Sequence, residues 1–104
     1  MSGKISELLS QTEVLAQMAE EASELAQAAL KLRRVLDGTN PTPVNKNEAT
    51  DNLLEELADV QNCFHAFLEW CPEEYHKYII KYINDMEDEK RKRWIERLRG
   101  RTNA

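Results

Sequence analysis

Aromatic residues make up only 7% of this chain, and glycine and proline contribute three residues each. Strands draw on aromatic and β-branched residues and tight turns on glycine and proline, so a composition this poor in both predicts an all-α fold. Two cysteines, Cys63 and Cys71, do not make a disulfide scaffold, and the chain has no secretory hydrophobic segment and no long apolar run. A soluble, cytoplasmic protein with reduced thiols and no membrane partner is expected. There is no glycine-rich phosphate loop and no serine or cysteine nucleophile with a matched base. Zinc-ligand spacing is also missing among Cys63, His65, Cys71 and His76. The net charge of −5 argues against a general nucleic-acid binder, so nucleic acid is not an expected partner. The positive charge is nevertheless segregated, with seven of the 14 basic residues falling between positions 90 and 101.

A chain of 104 residues fits a single domain, 1–104, whose modest core association could enlarge. From about residue 5 to 36, Leu15, Met18, Ala22, Leu25, Ala29, Leu32 and Leu36 step by three and four, which predicts one long helix with this stripe buried. Gly38 supplies a stop, and "DGTNPTPVNKN" reads as the one long loop. A second helix is predicted from near residues 47 to 51, with Leu53, Leu57, Val60, Phe64 and Phe67 as its apolar arc and Pro72 marking its end. His65 is expected beside the core. A third helix restarts at about residues 71 to 74 and carries Tyr75, Ile79, Tyr82, Met86, Trp94 and Leu98 into a basic last turn.

Two acidic clusters stand beside these stripes. Glu20, Glu21 and Glu24 flank the first, and Glu55, Glu56 and Asp59 flank the second. At about 100° per residue, Glu21 and Glu24 lie roughly 70° and 130° to one side of the first arc, and Glu56 and Asp59 repeat that offset. Arc-to-arc packing puts same-sided flanks together only in an antiparallel pair, which a short connection favours. Four carboxylates thus converge on one flank of a hairpin, where mutual repulsion calls for a positive partner. Carboxylate oxygens without thiolate or imidazole suit a hard cation, Mg²⁺ or its substitute Mn²⁺. A di-iron carboxylate bundle is disfavoured, because only Glu73 with His76 has the Glu-x-x-His spacing.

Glu-Glu-x-x-Glu at 20 to 24, followed by Glu-x-x-Asp at 56 to 59 within "EELADV", resembles the MazG-like nucleoside triphosphate pyrophosphohydrolases of the all-α pyrophosphatase superfamily. The likeness spans about residues 15 to 98, including "KYIND" and "EKRKRW". It implies Glu21, Glu24, Glu56 and Asp59 as Mg²⁺ ligands. It also implies hydrolysis of a nucleoside triphosphate, with deoxynucleotides the expected class, to monophosphate and pyrophosphate in cleansing of the nucleotide pool. Glu20 and Glu55 are candidates to take the proton of the attacking water. Lys81, Asn84, Lys90 and Arg93 are candidate phosphate contacts, and Trp94 could stack on a base. The resemblance further implies a homodimer or homotetramer, in which an antiparallel bundle of about three main helices is completed to four-helix bundles. A second, noncatalytic reading makes the chain a helical interaction module whose acidic flank binds a basic partner. A third makes the basic end of the last helix a nucleic-acid contact.

Overall fold

The computed structural model of the chain describes residues 3–39 and 45–102. Among the described residues there is no strand, and three long helices account for most of the backbone. They form two compact units, one ending at Trp70 and one beginning at Cys71.

The first unit opens on a one-turn 3-10 helix, Ile5–Glu7, followed by helix α1, Gln11–Asp37. The periodicity predicts a single helix from about residue 5, but the chain breaks at Ser10. The Ser10 hydroxyl accepts from the Glu13 backbone N–H at 3.2 Å, and the Ser10 N–H donates to the Glu13 carboxylate at 2.9 Å. This reciprocal pair satisfies two otherwise orphaned donors, contributes about 1 kcal/mol, and sets where the helix starts. The α1 helix ends as expected at Gly38, whose φ of 76° is left-handed backbone that a Cβ would strain. The predicted long loop lies in part outside the described residues.

Helix α2, Lys46–Trp70, runs antiparallel to α1. The direction is fixed at the open end of the hairpin. There the Ser6 N–H donates to Glu69 Oε1 at 3.0 Å and the Trp70 indole N–H donates to the Leu9 carbonyl at 3.1 Å. The N-terminal turn therefore ties directly to the last turn of α2.

The buried line of α1 differs from the predicted stripe. Val14 and Ala28 are almost fully buried, Met18, Glu21 and Leu25 are half-buried between them, and Leu32 and Val35 are half-buried beyond Ala28. Leu15, Ala22, Ala29 and Leu36, all predicted inward, are exposed, Leu15 at 45% and Leu36 at 58%. The observed line steps four and three alternately, a seven-residue repeat suited to close antiparallel packing. On α2 the same repeat carries Ala49, Glu56 and Cys63, with Ala66 and Phe67 following. Alanines at the contact let the two backbones approach closely. Counting leucines selected a neighbouring face, because the true seam contains small residues and two acids. His65, expected beside the core, is exposed and stacks obliquely on Phe64, with ring centroids 5.9 Å apart.

The second unit begins with Pro72 capping a one-turn 3-10 helix, Glu73–Tyr75, and continues as helix α3, His76–Thr102. His76 Nε2 is hydrogen-bonded to the Cys71 carbonyl at 2.8 Å, which clamps this entry turn. Along α3, Ile79 and Met86 are half-buried, whereas Tyr75, Tyr82, Trp94 and Leu98 of the predicted stripe are exposed.

Candidate functional site

Midway along the hairpin, the antiparallel register brings the two acidic clusters together. Glu21, Glu24 and Glu56 each offer a carboxylate oxygen, and these three oxygens lie within 4.8 Å of one another. Glu21 and Glu56 come from seam positions and are half-buried, while Glu24 is exposed at the rim.

The environment of these oxygens is unusual for surface acids. Glu21 Oε1 accepts from the Gln17 amide at 2.8 Å, which leaves its other oxygen unsatisfied. That Glu21 Oε2 and the Oε2 of Glu56 are both shielded from solvent and have no hydrogen-bond partner among the described residues. A buried carboxylate oxygen without a donor is costly, so its presence asks for a cation or a proton. The Glu21 carboxylate, close enough to share a proton, holds the Glu24 carboxyl above the ordinary glutamate range. Desolvation and the charges of Glu56 and Glu20 push the same way. No lysine or arginine lies between Lys4 and Lys31 or between Lys46 and Lys77, so neither helix supplies a cation beside the cluster.

These residues fit a hard divalent ion. Oxygens that share an ion at bond lengths of 2.0–2.1 Å lie at most about 4.2 Å apart, close to the limit of 4.8 Å within which these three fall. The donor set is all carboxylate, which selects against zinc and copper. Burial first, then the charges of Glu21 and Asp59, push the Cys63 thiol up, so it remains a protonated wall group and not a soft ligand.

Asp59 does not belong to this cluster of three. It lies one turn beyond Glu56 and lines a cavity of about 200 Å³ with Glu21, Gln17 and Asn62 at its polar end. The remaining wall is apolar and includes Ile5, Leu9, Val14 and Ala66. Periodicity does not foresee this cavity, because it reads as helix the 3-10 turn that places Ile5 on its wall. Gln17 was missed too, although its i,i+4 spacing to Glu21 is a readable signal.

Glu20 and Glu55 are exposed outside the cluster, and Glu20 acts on it only through its charge on Glu24. The candidate phosphate contacts all belong to the second unit. Lys81 is ion-paired with Asp85 at 2.6 Å, on the surface, and Asn84 is exposed. Lys90, Arg93 and Trp94 share one shallow hollow on α3 with Glu87 and Arg97.

The raised Glu24 carboxyl carries a sign that a pH series reads. An acid whose folded value lies above its unfolded one binds protons more tightly when folded, so it destabilises the fold as pH rises through that window. Without divalent cations, the melting temperature should therefore climb as pH drops from 7 toward 5. Glu13 and Asp37 are shifted the opposite way, by Ser10 and Thr39, and act only below their ordinary values of 4.5 and 3.8. Glu24→Gln should flatten the climb, and an equally steep profile in that variant would refute the assignment.

No protein-family model, curated protein or solved structure matches this chain.

Proposed function

We propose that the hairpin is the metal centre of a nucleoside triphosphate pyrophosphohydrolase that uses Mg²⁺, with Mn²⁺ as a substitute. The observation that carries this reading is the pair of buried, unpartnered oxygens on Glu21 and Glu56 beside Glu24. The resemblance of the two acidic motifs supplies the reaction, in which water cleaves the α–β phosphoanhydride to give a nucleoside monophosphate and pyrophosphate. Bound Mg²⁺ would offset phosphate charge and acidify a water molecule. Glu21, Glu24 and Glu56 would hold the ion, with Asp59 on the adjacent cavity wall as a fourth candidate ligand. Glu20 or Glu55 takes the proton of the attacking water. The apolar cavity beside Glu21 receives the base, with the amides of Gln17 and Asn62 at its polar end. The resemblance also marks Lys81, Asn84, Lys90, Arg93 and Trp94 of the second unit as candidate substrate contacts.

A panel of deoxynucleoside and ribonucleoside triphosphates, assayed with Mg²⁺ and with product identification, tests this reading. Pyrophosphate and a monophosphate should appear together from at least one of them. Orthophosphate as the first product would contradict the reading.

The working unit is a homodimer or homotetramer. Leu15, Leu36, Leu54 and Leu57 stand exposed on the hairpin, and a second copy covers them. Sedimentation should give at least twice the chain mass of 12.1 kDa, and a strict monomer at micromolar concentration would refute it. The same exposed leucines favour the alternative of a noncatalytic interaction module, in which Glu21 and Glu56 variants weaken partner binding with no dependence on metal.

A further inference from the structure

We propose that the C-terminal half of α3 is a binding face for single-stranded nucleic acid, distinct from the metal centre. Lys90, Arg93, Arg97 and Arg101 recur at intervals of three and four residues. At about 100° per residue they fall within one arc of roughly 80°, with Trp94 at its edge, and they extend over about 16 Å of helix. Lys90, Arg93, Trp94 and Arg97 line a shallow hollow together with Arg91 and two acids, Glu87 and Glu96. Trp94 is 57% exposed, and Lys90, Arg93 and Arg97 have no ion-pair partner among the described residues. Between positions 90 and 101 seven basic residues meet a single acid, Glu96.

A row of regularly spaced cations with an aromatic plane set among them is what a flexible phosphodiester strand requires. The cations track the backbone, and the indole accepts an unstacked base. Lys90 and Arg93 can serve one triphosphate, but Arg97 and Arg101 continue the row beyond its reach. An anionic membrane is a poorer match. Trp94, Ile95 and Leu98 form the only apolar sector of this stretch, and Arg91 falls in its middle, so no charge-free face is left to enter lipid.

Fluorescence anisotropy on the full chain in EDTA, with a labelled oligo(dT) strand, tests the proposal. Four phosphate contacts predict a slope near −3 for log K against log salt, which is about a 50-fold loss of affinity between 50 and 200 mM NaCl. Arg97→Glu with Arg101→Glu should abolish binding while circular dichroism keeps the helical signal. Trp94→Ala should weaken binding about 10-fold with the salt slope unchanged. Glu56→Gln should bind the strand as the parent does, so the outcome is independent of whether the metal centre hydrolyses triphosphates. No binding at 50 mM NaCl, equal affinity for duplex and single strand with Trp94→Ala neutral, or tighter capture by phosphatidylserine vesicles would each overturn the assignment.

Discussion

Replacing Glu56 with leucine is expected to stabilise the folded chain while abolishing pyrophosphate release. Glu56 occupies a seam position one heptad from both Ala49 and Cys63, where its Oε2 is shielded and unpartnered. Leucine removes that unsatisfied oxygen, relieves repulsion from Glu21 and Glu24, and adds apolar area. Together these contribute about 1–2 kcal/mol, which moves the melting temperature up by roughly 4–8 °C per kcal/mol for a chain of this size. Turnover loses a metal ligand worth several kcal/mol of transition-state charge stabilisation, about 10³-fold in rate. Glu56→Gln separates the two effects, since it keeps the shape but not the charge. It should lose comparable activity with a smaller gain in stability. A leucine variant that melts lower and still turns over would remove Glu56 from the proposed centre. This opposition between stability and activity is what an acid retained in an apolar seam for function predicts.

Addition of Mg²⁺ or Mn²⁺ at neutral pH should raise the melting temperature by about 10 °C or more. An ion that binds only the folded chain contributes about 2.7 kcal/mol at one hundred times its dissociation constant, and here it also quenches a three-way repulsion. Scanning calorimetry with and without the ion measures the shift. Glu21→Gln combined with Glu24→Gln should eliminate it, Asp59→Asn should reduce it, and Glu20→Gln or Glu55→Gln should leave it intact. Equal shifts in the parent and the double variant would place the ion elsewhere. Retention of the full shift in Asp59→Asn would restrict the centre to the three clustered glutamates.

Much of this organisation is readable from the sequence. The three helices, the Gly38 stop, the end of α2 before Pro72 and the antiparallel hairpin all follow from periodicity and punctuation, because these are local signals carried by few residues. The convergence of Glu21, Glu24 and Glu56 was legible for the same reason, since a repeated angular offset on two successive helices constrains where side chains meet. The rotation of α1 about its own axis was not. Leu15 and Leu36 weigh more in any hydrophobic count than Val14 and Ala28, yet packing density at a close helix pair favours the smaller residues. Displacing the stripe by that rotation takes Glu21 from a flank into the seam. The cavity closed by Ile5 and Leu9 depends on a chain break at Ser10, and only the reciprocal bonding with Glu13 reveals it.

The acids in the seam also discriminate among alignments of the two helices. Sliding α2 by one heptad would preserve most apolar contacts, because Ala49, Glu56 and Cys63 recur at the same interval. It would nevertheless carry Glu56 away from Glu21 and strand each charge among alkyl groups, beyond reach of a common counterion. The hairpin thus contains a built-in error check, in which a mispaired chain buries its acids apart and without relief.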